Sequence, residues 1–249
     1  MTIQAVIFDL GGTLIDWPDW DTGAVERWGQ SYDYVCTTIP TRQWPERSRY
    51  IEAMRGAELA HWQRVNTQHS SATPQEVVQE GFQALDFVVN AQELLVALDG
   101  YARAVSGWAI IFPDSVSTLL SLKKQGYRLG LLSNTWWAAD WHNADLATHG
   151  LDSLLDEVVY TSELPYSKPH PEVFQTVCQR LQVDPAQCVM VGDRLIDDIS
   201  GALGVGMRGI WRKNSNPWSR SSDIQPTATI TQLAELLPLL ELWNHSVSK

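Results

Sequence analysis

The stretch IQAVIFDLGGTLIDW, residues 3–17, decides the fold of this chain. It begins with a short apolar run with β-branched side chains, residues 3–8, which is followed by Asp9 and the pair Gly11-Gly12. An apolar run bounded by turn residues is typical of a strand buried on both faces, as in a parallel sheet. We therefore predict an α/β protein whose first strand ends at an acidic side chain.

The second half of the chain repeats this pattern. Further strands are predicted at residues 127–132, 158–161, 188–191, 208–211 and 228–230, and helices at residues 114–125, 171–181 and 231–240. Alternation of strands and helices implies right-handed parallel crossovers. The predicted fold is a doubly wound, Rossmann-like parallel sheet covered by helices.

Residues 16–108 have a different character. They lack strand-like apolar runs and instead show helical spacing of apolar residues, for example over residues 50–62 and 93–105. We therefore predict a helical domain of residues 16–108, inserted after the first strand of a core domain made of residues 1–15 and 109–249.

The composition is that of a globular protein. The chain has 249 residues, of which 44% are hydrophobic, and this length can bury a core without metals or disulfides. Its net charge of −11 argues against a nucleic-acid partner, because such binding depends on neutralising phosphates. We find no apolar run of about 18 residues, no signal peptide and only three cysteines. We expect a cytoplasmic protein without membrane contact, and the oligomeric state stays open.

Polar residues follow the ends of the predicted strands: Asp9, Ser133, Asn134, Lys168, Asp193, Asp197 and Asp198. In an open parallel sheet, ligands bind outside the carboxyl ends of the strands, so these side chains should converge. Carboxylates without His or Cys suit Mg²⁺, and a carboxylate can also act as a nucleophile. A lysine and a serine can hold an anionic group in transfer. The set favours phosphoryl transfer through a phospho-aspartate.

Four segments resemble, in order, the motifs of the haloacid dehalogenase-like hydrolase superfamily. Residues 8–14, FDLGGTL, are similar to its first motif, DxDxT, and residues 131–134, LLSN, to its second. Residues 167–174, SKPHPEVF, are similar to the third motif, and residues 191–198, VGDRLIDD, to the fourth, GDxxxxD. The resemblance covers nearly all of the chain outside the helical insertion.

The resemblance implies a role for each matched residue. Asp9 would be the nucleophile, Ser133 would contact the phosphoryl group, and Lys168 would neutralise charge. The implied Mg²⁺ ligands are Asp9, the Gly11 backbone carbonyl, Asp193 and Asp198, with Asp197 as the alternative to Asp198. The implied phosphate-binding residues are Gly12, Thr13, Ser133, Asn134 and Lys168. The insertion would be a cap that excludes water and selects the substrate.

One position departs from the family pattern. Phosphatases of this family normally have an aspartate two residues after the nucleophile, which protonates the leaving group, and here that residue is Gly11. The loss of a general acid typically costs about 10²–10⁴-fold in rate. Asp16, His61 and His69 are candidates for a substitute acid.

The favoured function is a Mg²⁺-dependent phosphatase of a small phosphorylated metabolite. Halide displacement from a 2-haloacid is the first alternative, because halide leaves without a proton; family dehalogenases, however, use no metal. It would need a cap arginine for the substrate carboxylate, with Arg27, Arg42, Arg47 and Arg49 as candidates. A phosphomutase and a non-enzymatic binding protein are further alternatives.

The chain contains twelve tryptophans. Nine lie in the predicted insertion, at its hinges or just after the second motif: Trp17, Trp20, Trp28, Trp44, Trp62, Trp108, Trp136, Trp137 and Trp141. Packing between cap and core is one explanation. The other is an aromatic wall of the substrate pocket, formed by Trp17, Trp20, Trp136 and Trp137.

Overall fold

A computed structural model describes residues 2–18, 20, 22–214 and 223–245. The described strands are β1 (Ala5–Phe8), β2 (Ile15–Asp16), β3 (Ile110–Ile111), β4 (Arg128–Ser133), β5 (Glu157–Tyr160), β6 (Cys188–Gly192), β7 (Arg208–Arg212) and β8 (Ala228–Ile230). Six of them form a parallel sheet in the order β5-β4-β1-β6-β7-β8. The predicted doubly wound α/β fold is confirmed.

The described helices are α1 (Ala24–Thr38), α2 (Arg47–Gln68), α3 (Pro74–Ala84), α4 (Ala91–Val105), α5 (Ser115–Lys124), α6 (Ala139–Thr148), α7 (Pro171–Leu181), α8 (Gly201–Gly204) and α9 (Leu236–His245). Capping boxes start α3, where Thr73 and Glu76 exchange hydrogen bonds, and α4, where Asn90 and Glu93 do the same. No described helix is both long and apolar enough to cross a membrane.

The register of the sheet gathers the strand ends at one edge. Every residue of β1 is buried, as predicted for a central parallel strand. Phe8 is paired with Leu131 of β4 on one side and with Val191 of β6 on the other. Because the three strands are parallel and in register, the residues that follow them lie beside one another.

The helices α1 to α4 lie in the chain between β2 and β3 and share one hydrophobic cluster. Trp136 and Trp137, in the loop after β4, are buried in this same cluster. Strands β2 and β3 pair antiparallel, with Ile15 opposite Ile111. The sequence analysis missed this pair because two-residue strands are too short to produce a periodic pattern.

Most predicted boundaries agree with the structure within a few residues, and α7 and β8 match the predicted ranges. The predicted helix at residues 231–240 was wrong at its start. The segment Leu233–Glu235 is a 3₁₀ turn, in which Glu235 caps the backbone of Gln232, and α9 begins only at Leu236. The segment Leu195–Ser200, after β6, is a π-helical turn.

Candidate active site

Lys168 lies at the centre of the strand ends and is almost completely buried. Its Nζ donates to Asp9 Oδ1 at 2.6 Å, to Asp198 Oδ1 at 2.6 Å and to the Leu132 carbonyl at 2.9 Å. These three acceptors use all three N–H groups of the ammonium. Burial alone would lower the pKa of Lys168, but the two carboxylates outweigh burial and raise it.

Three buried carboxylates, two of which bind this lysine, lie together at the strand ends. Asp9, Asp193 and Asp198 each offer an oxygen that lies within 4.8 Å of the others. Burial, together with the other two acids, raises the pKa of Asp9 to about 7 in spite of Lys168. A set of carboxylate oxygens without nitrogen or sulfur fits a hard divalent cation such as Mg²⁺.

The position of Asp198 depends on a glycine of the neighbouring strand. Its Oδ2 accepts from the Arg194 backbone N–H at 2.9 Å. A Cβ atom on Gly192 would lie only 2.2 Å from this same Oδ2, so only glycine admits the carboxylate here. The Asp197 side chain instead accepts from the Arg194 guanidinium at 3.1 Å and does not belong to the group of three acids.

Ser133 is the last residue of β4, and Asn134 follows it. Ser133 is buried at the end of the strand. Asn134 Oδ1 accepts from the Lys168 N–H at 2.7 Å, and its Nδ2 donates to the Lys168 carbonyl at 3.1 Å. Both ends of this amide are therefore used to position the lysine.

The loop after β1 is tied to the end of β7. Gly12 has a φ of 76°, a conformation that favours glycine. Its carbonyl accepts from Arg212 Nη1 at 2.7 Å and from Asn214 Nδ2 at 3.0 Å. Asn214 Nδ2 also donates to Asp193 Oδ2 at 2.8 Å. The sequence analysis missed Arg212 and Asn214, although the strand-end rule that identified the other residues applies to them as well.

A model of the haloacid dehalogenase-like hydrolases matches residues 3–206. The chain belongs to this hydrolase family. It is 30% identical over 164 residues to a glyceraldehyde 3-phosphate phosphatase of Pyrococcus furiosus, covering 65% of this chain and 68% of that protein. It is 26% identical to the N-acylneuraminate-9-phosphatase of Mus musculus, covering 99% and 97% of the two chains.

A solved 2-haloacid dehalogenase from Pseudomonas syringae has a similar structure, with a TM-score of 0.71, 25% identity and coverage of 97% and 100% of the two chains. The chain spans about half the length, 43% to 56%, of three further archaeal proteins named glyceraldehyde 3-phosphate phosphatase. Both phosphatases and dehalogenases of the family are therefore similar to this hydrolase.

Trp17 packs against Gly11, the position at which the resemblance led us to expect an aspartate. A Cβ atom on Gly11 would lie 2.8 Å from Trp17 Cζ3. The indole Nε1 is held 3.4 Å from Asp145 Oδ2. A carboxylate at position 11 would therefore collide with the ring, and glycine and tryptophan form a matched pair.

The three candidates for a substitute acid are engaged in different ways. Asp16 Oδ1 accepts from the Trp17 backbone N–H at 2.9 Å. His61 is buried in α2, where burial lowers its pKa to about 4. His69 ends α2 with a left-handed φ of 54°, and its carbonyl accepts from the Ser167 N–H, next to Lys168. None of these contacts places an acid beside Asp9.

The four tryptophans predicted to line the pocket form a continuous aromatic group. The ring of Trp17 lies 6.2 Å from that of Trp20 and 5.5 Å from that of Trp137. Trp136 joins them through Trp141, whose ring lies 6.2 Å from that of Trp136 and 6.1 Å from that of Trp137. The Trp136 ring also stacks on that of Trp28 in α1 at 6.0 Å. The aromatic group thus joins the loop after β4 to α1.

The four candidate arginines differ in their ion pairs and in their burial. Arg42 pairs with Glu93 and Arg47 with Asp33, while Arg49 is exposed. Arg27 alone of the four is buried.

Proposed function

We propose that this hydrolase is a Mg²⁺-dependent phosphatase of a small phosphorylated metabolite, with Asp9 as the nucleophile. The observation that carries the proposal is the bridge from Lys168 to both Asp9 and Asp198 inside a group of three buried acids. The names of the phosphatase relatives support the same chemistry. Mg²⁺ would be held by Asp9, Asp193, Asp198 and the Gly11 carbonyl, and it would neutralise charge on the phosphoryl oxygens.

The residues of the chain divide the reaction between them. Lys168 orients the Asp9 carboxylate and lowers its pKa against the opposing effect of burial. In the first step an Asp9 oxygen bonds to phosphorus as the bond to the leaving oxygen breaks, and the Ser133 hydroxyl donates to a phosphoryl oxygen. Water then cleaves the acyl phosphate, which releases inorganic phosphate and restores the Asp9 carboxylate.

We propose that α1 to α4 form the cap of this site. The insertion contacts the core at two places, through Trp136 and Trp137 and through the pairing of Ser70 with Tyr166. A cap in this position excludes water from the acyl phosphate and lines the substrate pocket with Trp17, Trp20, Trp136 and Trp137.

The Gly11–Trp17 pair predicts a preference for good leaving groups. Because position 11 carries no acid, the leaving oxygen departs without a proton from this residue, so p-nitrophenyl phosphate should react far faster than an alkyl phosphate. The double variant Gly11→Asp/Trp17→Ala, which makes room for the acid, should narrow this difference in kcat by about 10- to 100-fold. Gly11→Asp alone should instead be destabilised by about 1–3 kcal/mol, because it overpacks against the indole.

Trp17→Ala alone is the control for the double variant. If the control narrowed the difference in kcat between the two esters equally, the space left by the Trp17 ring, and not the acid at position 11, would be the cause. Equal rates on both ester classes in the parent protein would show that another group supplies the proton.

Halide displacement is the second candidate, favoured by Gly11 and by the similarity to the Pseudomonas syringae dehalogenase. A screen of phosphate esters and 2-haloacids, with Mg²⁺ or with EDTA, separates the two. Phosphate release that requires Mg²⁺ supports the phosphatase, and halide release in EDTA supports the dehalogenase. Turnover of neither class would favour a binding protein on this fold.

A further inference from the structure

The connection between α2 and α3 runs beside the loop that leads to Lys168, although it belongs to the insertion. We call residues 69–71 of this connection the strap and residues 161–167 of the core the lysine loop. Ser70 of the strap and Tyr166 of the lysine loop are paired as an antiparallel bridge. The insertion therefore contacts the core two residues before the lysine.

Two backbone hydrogen bonds complete this bridge. The Ser71 N–H donates to the Pro165 carbonyl at 3.1 Å, and the Ser167 N–H donates to the His69 carbonyl at 2.9 Å. Exchanged bonds of this kind on both sides of a residue pair are those of an antiparallel ladder. Because Ser167 is completely buried and immediately precedes Lys168, the strap holds the backbone at the residue before the lysine.

The side chain of Ser71 extends the contact to the beginning of the lysine loop. Its hydroxyl donates to the carbonyl of Thr161, a buried residue directly after β5, at 2.5 Å. The same carbonyl accepts from the Leu164 N–H at 3.0 Å, which closes the turn at the start of the lysine loop. Ser71 thus binds the lysine loop through its backbone and through its side chain.

The beginning of the lysine loop is also bonded to the loop that follows Ser133. The Thr135 N–H donates to Thr161 Oγ1 at 3.0 Å, and Ser162 Oγ donates to the Trp137 carbonyl at 2.7 Å. Thr161 therefore joins the strap of the insertion to the loop after β4. A shift of the strap would reach the residues that follow both strands.

The path of the strap is set by the two helices that it connects. His69 ends α2 with a left-handed φ of 54°, and its N–H donates to the Val65 carbonyl of the helix at 3.1 Å. Two residues after the strap, Thr73 forms the capping box that starts α3. Because a helix end fixes the chain on each side, the position of the strap depends on the position of the insertion.

Lys168 depends on the position of its backbone, because its Nζ reaches three acceptors at once. The bonds are 2.6 to 2.9 Å long and end at Asp9, Asp198 and Leu132. A hydrogen bond weakens when its heavy atoms are further apart than about 3.2 Å. The lysine side chain is 1% exposed, so the packed interior leaves it little freedom to compensate for a backbone shift.

We infer that the strap positions Lys168, and that Ser71 is therefore a positioning residue of the site although it belongs to the insertion. Ser71 acts through the lysine loop and contacts none of the three acids among the described hydrogen bonds. This inference rests on the proposed function, in which Lys168 orients the nucleophile. The insertion then contributes to the chemical step as well as covering the site.

The test compares Ser71→Ala with Ser70→Ala. The Ser70 hydroxyl donates to the carbonyl of Ser71 at 3.4 Å, so its loss leaves the contact with the lysine loop intact. In Ser71→Ala, kcat for p-nitrophenyl phosphate should fall about 10-fold with KM unchanged, because a displaced Lys168 acts less well on the transition state. Ser71→Thr, which keeps the hydroxyl, should recover most of kcat, and Ser70→Ala should match the parent. Equal kcat in the two alanine variants, or no recovery in Ser71→Thr, would overturn the inference.

Hydrogen exchange of the metal-free protein keeps this test independent of catalysis. The amides of residues 166–168 should exchange about 10-fold faster in Ser71→Ala than in the parent, as expected for one lost hydrogen bond, and at the parent rate in Ser70→Ala. The amides of α5, which does not contact the strap, should be unchanged. Equal acceleration in α5 would mean that Ser71 stabilises the whole fold and would refute its positioning role.

The two proposals fail in different ways. Absence of Mg²⁺-dependent turnover in the parent protein would refute the proposed function. Local acceleration of exchange at residues 166–168 in Ser71→Ala would still support the role of the strap. Unchanged exchange there would refute that role, even in a protein that hydrolyses phosphate esters.

Discussion

Two buried cations differ in their surroundings, and the difference separates two parts of the molecule. Lys168, at the strand ends, has three acceptors for three N–H groups, two of them carboxylates. Arg27, in the insertion, has a backbone carbonyl and two aromatic rings around it and no carboxylate among the described residues at salt-bridge distance. Carboxylates therefore hold the buried cation at the strand ends, whereas a backbone carbonyl and aromatic rings hold the buried cation of the insertion.

The largest loss of stability is expected when the strand ends lose Lys168. Lys168→Met leaves two carboxylates buried without their partner, so the free energy of unfolding at neutral pH should fall by about 3–5 kcal/mol. Urea unfolding measures this change. Lys123→Met, which breaks a half-exposed pair with Asp156, is the matched control and should cost at most about 1 kcal/mol. Similar losses in the two variants would contradict the view that Lys168 organises the acids.

A smaller effect is expected when a substitution displaces one of the three buried acids. In Gly192→Ala the new methyl group meets Asp198 Oδ2, so the carboxylate must move and kcat/KM should fall about 100-fold. Gly56→Ala is the control, because a Cβ atom there meets nothing within 4 Å. The measurement is kcat/KM of the two variants for a phosphate ester. Unchanged activity in Gly192→Ala would show that catalysis does not need Asp198 in its present position.

The smallest effect is expected for the unpaired cation. Arg27→Met removes no salt bridge among the described residues. It loses one hydrogen bond and the contacts with the rings of Trp20 and Trp108, so the free energy of unfolding should fall by about 1–2 kcal/mol. The same urea unfolding experiment measures it. If Arg27→Met lowered the free energy of unfolding as much as Lys168→Met, Arg27 would stabilise the fold as strongly as Lys168 does.

The strand ends were predictable from sequence because one physical rule covers them. Apolar runs alternating with helices imply a parallel sheet, and parallel strands place their last residues at one edge. Asp9, Ser133 and Asp193 follow from this rule without knowledge of any contact. The sheet order and the individual side-chain directions do not.

The remaining features depend on local geometry that no periodic pattern encodes. Asp197 and Asp198 are neighbours in sequence, and the π-helical turn decides which of them reaches Lys168. The clamp of Asn134 on Lys168 joins residues 34 positions apart. The fit of Trp17 against Gly11 depends on the path of the chain between β1 and α1, which sequence spacing alone does not define.

The most direct test of the account is hydrolysis of p-nitrophenyl phosphate by the parent protein and by Asp9→Asn, each with Mg²⁺ and with EDTA. The account predicts turnover only in the parent with Mg²⁺. It also predicts a trapped aspartyl phosphate at Asp9, visible by mass spectrometry as a phosphorylated peptide of residues around the first strand. Turnover that survives EDTA, or that survives Asp9→Asn, would contradict the assignment of this site.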